Sequence, residues 1–433
     1  MPPREPQPNP REPAKAVHRS EGPILVLVLV VVLAGLPPAL YGFFVGGAPS
    51  LSPAEAHARL SDPAGGFALV DVRDPVSYSQ GHLAEAVSWA LDDIARLSGL
   101  EDVPALLRGR SLLLVCDGGL SSAIAARILR RRGVEESFSV RGGLQAWTAN
   151  LTLEGETIVG LPRAKALVLL SSLYAIKPLY MALASWLLYA LRKGTDPRFR
   201  ALRASLVSFL VGEAACWVNF QLLRVESAAL EYVHSASMVL FIALLAWVFL
   251  EALDRRVLRY SDPAARCALL GVCRGCRKQT GQPCALARVM RLGTVVFVAL
   301  ALLPLGAPPS PVSYNVSILG FVRNLMHPLA IQLYEIRFAP VAAFVLLLAA
   351  FLILLVWGQR EEAKARILIA AGAGHLGFSV MRLALLSFFR DDLVWFVAWE
   401  EWTELLMIGA IAYILWAFRV EGLNKIRSNV TAS

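Results

Sequence analysis

Cys116 sits where a thiol can do chemistry. It follows the apolar run Leu112-Leu113-Leu114-Val115 and opens the loop Asp117-Gly118-Gly119-Leu120-Ser121-Ser122. The run reads as a short buried strand. The residues after the loop, Ala123-Ile124-Ala125-Ala126-Arg127-Ile128-Leu129, read as a helix opening at Ser121 or Ser122. A sulfur at the mouth of such a loop faces backbone N–H groups and a helix N-terminus. Both favour negative charge, so the spacing suits a thiolate or a persulfide.

A second group of thiols, Cys267, Cys273, Cys276 and Cys284, has the order C-x5-C-x2-C-x7-C. Four reduced cysteines around a C-x2-C pair have metal-ligand spacing, for an iron–sulfur cluster or, alternatively, for Zn²⁺. Arg274, Arg277, Lys278 and Arg288 would offset the charge of a tetrathiolate. Free thiols or a redox dithiol are the plainer reading. A third group lies in apolar helices: Glu213, with Cys216 three residues on, His375, and Glu404 a turn beyond Glu400. Ionisable groups there are costly and face a partner or a cavity. Glu213 and His375 are expected to meet, as a proton, ion or quinone site or as a buried hydrogen bond. Lys177, Arg337, Glu231, His234, Glu400, Glu401 and Arg390 read mostly as side chains that snorkel to headgroups.

The elements holding these groups follow from composition. The chain has 433 residues, of which 56% are hydrophobic and only 17% charged. This predicts an α-helical polytopic membrane protein with one soluble insert. Its net charge of +9 comes from basic residues beside apolar runs, which points to the lipid bilayer as partner and not to nucleic acid. Six cysteines are too few and too scattered for a disulfide scaffold. Residues 1–22 read as a disordered cytoplasmic tail and 23–46 as an uncleaved anchor, with a cleaved signal peptide as the rival. Residues 50–150 regain charge, and β-like runs at 68–70, 87–89, 112–115 and 138–140 alternate with helical ones, as in an α/β domain with a mostly parallel sheet.

Four stretches carry a resemblance. Leu69-Val70-Asp71-Val72-Arg73-Asp74, Gly81-His82-Leu83-Ala84-Glu85-Ala86, the Cys116 loop and Arg141-Gly142-Gly143-Leu144-Gln145-Ala146-Trp147 resemble the rhodanese domain family in order and spacing, over nearly a quarter of the chain. The resemblance implies a sulfurtransferase fold with Cys116 as persulfide carrier. Asp71 and Arg73 would orient the loop, and Gly118, Gly119, Leu120, Ser121 and Ser122 would form the persulfide cradle. Active members usually carry a basic residue at the sixth loop position, where this chain has Ser121, and Asp117 adds an acid next to the thiol. Both changes oppose a thiolate, so transfer is expected to be slow or restricted in substrate. A degenerate binding domain is the alternative.

Further apolar runs at about 168–191, 204–223, 233–252, 291–307, 339–357, 366–388 and 402–418 bring the expected spans to eight. They group as helices 2–4 within 163–252 and helices 5–8 within 291–419, with the four-cysteine loop at 253–290 and a tail at 420–433. Arg192, Lys193, Arg198, Arg200, Arg203, Arg255, Arg256, Arg259, Arg360, Lys364 and Arg366 fall on one set of loops. The positive-inside rule then predicts an inner-membrane protein with both termini cytoplasmic and the rhodanese-like domain extracytoplasmic. The halves also echo each other. Tyr174-Ala175-Ile176-Lys177 matches Tyr334-Glu335-Ile336-Arg337, Gly212-Glu213 matches Gly374-His375, and Glu231, Met238, Trp247 and Phe249 match Glu400, Met407, Trp416 and Phe418. This predicts a 4+4 parallel repeat.

Three functions fit. The first is a sulfur-handling or redox protein that couples Cys116 to the inner cysteine site, with a sulfur donor and acceptor as partners. The second is a transporter of a small sulfur solute. The third is a sensor or assembly factor with an inert rhodanese fold.

Overall fold

The computed structural model describes residues 21–44, 49–62, 66–147, 153–154, 161–219, 228–253, 285–307, 313–318, 321–326, 329–357, 361–389 and 392–417. The four loop cysteines, Cys267, Cys273, Cys276 and Cys284, and both tails lie outside the described residues.

An α/β domain follows the first helix, α1 (Gly22–Phe44). Its sheet runs in the order β1 (Ser50–Leu51), β6 (Ser137–Val140), β5 (Ser111–Val115), β2 (Phe67–Asp71), β4 (Val87–Ser88), with every pair parallel. A short antiparallel pair, β3 (His82–Leu83) with β7 (Leu153–Glu154), stands beside it. The expected runs 68–70, 112–115 and 138–140 lie within β2, β5 and β6, and 87–88 form β4.

Parallel strands are buried on both faces, so their sequences read as unbroken apolar runs. The period of two then sorts them. Ala68, Val70, Leu112, Leu114 and Cys116 face one core, which also takes Ala125, Ala126 and Leu129 of α5 (Leu120–Arg131). Leu69, Leu113, Val115 and Val140 face the other, against α2 (Pro53–Leu60) and Trp147. The helices start on local signals. Ser52 and Glu55 form a capping box on α2, and Asp74 caps α3 (Pro75–Gln80) with Pro75 in its first turn.

The rest of the chain is mostly helical. Among the described residues, four helices are long and apolar enough to cross a membrane: Arg163–Ala190, Ala229–Leu253, Ile331–Val356 and Glu362–Phe389. Helices also cover the other expected positions: α1, α9 (Pro197–Trp217), α11 (Ala285–Leu300) and α15 (Leu393–Ala417). Within the first long helix, α7 (Arg163–Ser171) passes through a π turn (Ser172–Ile176) into α8 (Lys177–Ala190). Likewise α12 (Leu329–Leu333) passes through a π turn (Tyr334–Phe338) into α13 (Ala339–Val356).

The cause of both π turns is a proline. Pro178 and Pro340 have no N–H to offer the fourth carbonyl back, and an α-helical ring there would clash with it. The turn widens, and the N–H groups of Lys177 and Ala339 bond the carbonyls five residues earlier, of Ser172 and Tyr334. Both π turns thus precede the α-helical restart at a proline, with the same sequence separation as Gly212 and Gly374.

Small residues bring the other helices together. α10 (Ala228–Leu253) packs against α9 and α14 (Glu362–Phe389). Ser205 and Ser208 donate to the carbonyls of Phe241 and Ser237 at 2.9 and 2.8 Å. Gly374 lies so close to α10 that a Cβ would stand 2.5 Å from the Val239 carbonyl oxygen and 2.7 Å from the Ala243 Cβ.

A hairpin of β8 (Ser313–Ile318) and β9 (Phe321–Met326) lies between α11 and α12. It touches the α/β domain, with α3 packed on β8 and α5 on α12, where Leu333 joins the Cys116-side core.

Gly374→Val should push α10 and α14 apart and cost about 1–3 kcal/mol. The melting temperature of the full-length protein in detergent should fall. Gly409→Ala, where a Cβ meets nothing within 4 Å, should leave it unchanged or raised.

Candidate functional site

β5 delivers Cys116 to the carboxyl end of the parallel sheet, and the loop folds over it. The Gly119 N–H points at Sγ from 3.1 Å and the Ser122 N–H from 3.4 Å. The thiol also meets the Ser122 hydroxyl at 3.5 Å. The loop reaches this shape through Gly119, whose φ of +84° lies in the left-handed region and whose Cβ would stand 2.6 Å from the Gly142 nitrogen. Gly143, at φ +57°, closes the underside, since a Cβ there would lie 2.0 Å from the Cys116 carbonyl oxygen. That carbonyl accepts the Leu144 N–H at 2.8 Å. α5 opens at Leu120, one residue before the expected start.

Asp71 and Arg73 brace the loop. Buried Asp71 accepts Arg73 Nε at 3.0 Å and Nη2 at 2.7 Å. Arg73 then reaches Asp117 Oδ1 with Nη1 at 3.1 Å and the Gly81 carbonyl with Nη2 at 2.5 Å. Asp117 therefore shares the Arg73 cation with Asp71, a partner that the sequence reading had not given it. Burial still pushes the Cys116 thiol up from its ordinary value, and Asp117 adds to this, while the bonds from Ser122 and Gly119 pull it down. Burial likewise raises Asp117, against the pull of Arg73. Ser139 is a contributor the sequence reading missed. Its hydroxyl lies 2.8 Å from that of Ser122 and 3.3 Å from the Gly119 carbonyl, tying β6 to the loop. Its alternation with Phe138 toward the Cys116 side was the available signal.

The geometry accords with what known proteins show. The Rhodanese-like domain family matches residues 52–150. A curated relative, the thiosulfate sulfurtransferase GlpE of Shewanella oneidensis, is 34% identical over 79 residues, which span 18% of this chain and 73% of that protein. Through residues 52–150 this chain belongs to the rhodanese-like family. The solution NMR structure of the rhodanese-like domain of an Anabaena sp. protein is 27% identical and covers 26% of this chain and 87% of that one, with a TM-score of 0.22.

A second constellation lies among the helices, beside the two π turns. Lys177, the first residue after the first π turn, is buried and donates to Glu213 Oε2 at 2.5 Å and Glu401 Oε1 at 3.0 Å. The Tyr180 hydroxyl meets Glu213 and Glu401, each at 2.5 Å, and Cys216 Sγ lies 3.6 Å from Lys177 Nζ. Glu335, inside the second π turn, pairs with Arg382 at 2.6 Å and accepts Ser235 Oγ at 2.7 Å. Arg382 also holds Glu400 at 3.0 Å, and Asn219 donates to Glu231 at 2.8 Å.

This corrects two expectations. Glu213 does not pair with His375. Its partners are Lys177, Tyr180 and, at 3.6 Å, His234. His375 is buried with neither ring nitrogen hydrogen-bonded among the described residues. Lys177, Glu231, His234 and Glu401 do not snorkel outward; all are buried, as is Glu404. Arg337 instead caps the turn Leu303–Gly306, donating to the Leu305 and Ala307 carbonyls at 2.8 Å each. Arg390 lies outside the described residues. The members to which the sequence reading gave no role, Tyr180, Glu335 and Arg382, were visible as polar residues in apolar helices.

Alkylation of Cys116 should be slow at neutral pH and accelerate as pH rises, because the thiolate reacts and burial holds the thiol up. Asp117→Asn should move the midpoint of that profile to lower pH. Ser122→Ala should move it to higher pH. Stopped-flow alkylation with Cys116 as the single cysteine, the other five replaced by serine, reads both, and unmoved midpoints would contradict the assigned electrostatics.

Proposed function

We propose that this protein is a membrane-anchored sulfur carrier in which Cys116 accepts sulfane sulfur as a persulfide and hands it to a nucleophilic acceptor. The observation that carries this reading is the pair of backbone N–H groups, from Gly119 and Ser122, aimed at Sγ. On loading, the Cys116 thiolate attacks the outer sulfur of the donor, the donor's S–S bond breaks, and its remainder leaves with the electron pair; with thiosulfate the leaving group is sulfite. On unloading, the acceptor attacks the outer sulfur and Cys116 leaves as thiolate. The cradle's N–H groups stabilise the anion at both ends of the cycle.

The relative's name supplies thiosulfate as a donor candidate. The site itself favours less anionic donors, since Arg73 is taken by Asp71 and Asp117 and position 121 is serine. We place the domain outside the cytoplasm. Arg163–Ala190 leads from this domain to the loop bearing Arg192, Lys193, Arg198, Arg200 and Arg203, which puts the basic loop at the opposite end of that helix. Eight spans in a 4+4 repeat complete the reading. The paired π turns, Pro178 with Pro340 and Gly212 with Gly374 support it, and they set the correspondence near the turns two residues away from the Tyr174–Tyr334 alignment. On spacing, Cys267, Cys273, Cys276 and Cys284 would hold an iron–sulfur cluster or zinc on the cytoplasmic face.

The buried cluster around Lys177 favours a second reading, a transporter of a small sulfur solute. Uptake into proteoliposomes lost in Glu213→Gln but kept in Cys116→Ala would select it.

The full-length protein should transfer sulfur from thiosulfate to cyanide, and Cys116→Ala should reduce the rate at least a hundredfold. Ser121→Arg should raise kcat/KM for thiosulfate several-fold, by supplying a cation to the anionic donor. Equal rates for Cys116→Ala and the parent would sink the carrier reading. In cells, a single cysteine at position 121 should be labelled by a membrane-impermeant maleimide, and one at position 193 should not.

A further inference from the structure

The helical bundle holds more buried negative charge around Lys177 than its own cations balance. Glu213, Glu401 and Glu404 are all buried, and Lys177 is the one ammonium bonded to Glu213 and Glu401. Arg382 belongs to the neighbouring group, bound to Glu335 and Glu400. Among the described residues, three carboxylates ionised together against one ammonium would leave two charges over, in a place where unpaired charge is strongly disfavoured.

The unpaired atoms converge. Glu213 divides its oxygens, with Oε2 taking Lys177 and Tyr180 and Oε1 left without a hydrogen bond beside His234 Nδ1, 3.6 Å away. Neither oxygen of Glu404 has a hydrogen-bond partner, although the residue is 1% exposed. One ligand atom each from Glu213, His234 and Glu404 can be taken so that all three lie within 4.8 Å of one another. An ion bound at about 2.1 Å by imidazole and carboxylate sets its ligand atoms about 3–4 Å apart, within reach of a small rotation of Glu404. His234 Nδ1 also lies 3.2 Å from the Gly212 carbonyl; donating its proton there, it leaves Nε2 as the nitrogen that binds the ion.

We propose that Glu213, His234 and Glu404 bind a divalent first-row transition-metal ion inside the helical bundle. Lys177 and Tyr180 hold Glu213 so that Oε1 faces the ion. Two carboxylates and one imidazole suit manganese, iron, cobalt or zinc and leave coordination positions open. The ion's two charges equal the surplus of the cluster. The site is distinct from the four loop cysteines and from Cys116, and it stands whether or not Cys116 carries sulfur.

The test uses the full-length protein in detergent with Cys267, Cys273, Cys276 and Cys284 all replaced by serine, so that loop thiols take no metal. The protein is stripped with chelator, exposed to Co²⁺ alone and gel-filtered. One cobalt per chain is expected, with a visible d–d band and no thiolate charge-transfer band. Glu404→Gln and, separately, His234→Asn should each reduce bound cobalt at least fivefold. Cobalt should raise the melting temperature of the parent and leave that of Glu404→Gln unmoved. Without metal, Glu404→Gln should melt at or above the stripped parent, because it removes surplus buried charge; this also establishes that it folds. A parent that retains no cobalt, or cobalt retained equally by both variants, would overturn the site.

Discussion

Charge buried in an apolar bundle must find its partner on another helix, and this constraint organises the helical part of the protein. Lys177 on α8 bonds Glu213 on α9 and Glu401 on α15, so three helices must meet before this ammonium makes both of its ion pairs. Removing one partner of such a group leaves an uncompensated charge, which costs far more than the pair contributes. The network therefore specifies which helices adjoin and at what height, where leucine and alanine alone would accept many packings. The π turns serve the same end. By widening the helix just before Lys177 and around Glu335, they set both charged groups toward their partners on α9, α14 and α15.

The two parts of the chain are mechanically joined. Leu333 packs into the core that also buries Cys116, and two residues on, Glu335 pairs with Arg382. α5, whose first turn covers the sulfur, touches the short helix α12 that carries Leu333. Any displacement of α5 on loading the thiol would act on the second π turn through a packed contact, since close-packed interiors transmit strain rather than absorb it. The hairpin β8–β9 adds a second brace on α3, and its Ser317 carbonyl takes the Leu161 N–H at 3.1 Å where the chain leaves the domain.

The cradle shows how a departure from a family pattern can be balanced locally. With serine at position 121, the site lacks a cation in its loop, yet Arg73 neutralises Asp117 and is itself anchored by Asp71. The thiol is left to backbone N–H groups, which stabilise a sulfur anion without attracting a bulk anion to the mouth. In the proposed cycle, the lack of a loop cation would weaken the pull on charged donors more than it weakens a persulfide.

Much was legible in the chain itself. Apolar runs marked the helices, because length and the absence of charge are properties of the segment alone. The period of two and the glycine placements marked the strand, loop and helix around Cys116, because local backbone geometry demands those residue types. The braces Asp71 and Arg73 came with the motif. Only the tertiary structure decided who pairs with whom. Glu213 and His375 align in the sequence echo between the two halves, yet Glu213 is held by Lys177 and Tyr180, and His375 is buried without a hydrogen-bonding partner among the described residues. The same side chains that read as snorkelling to headgroups, such as Glu401 and His234, turned inward. A sequence records that a helix carries a charge; which way that charge faces depends on the helices packed around it, and no local pattern encodes them.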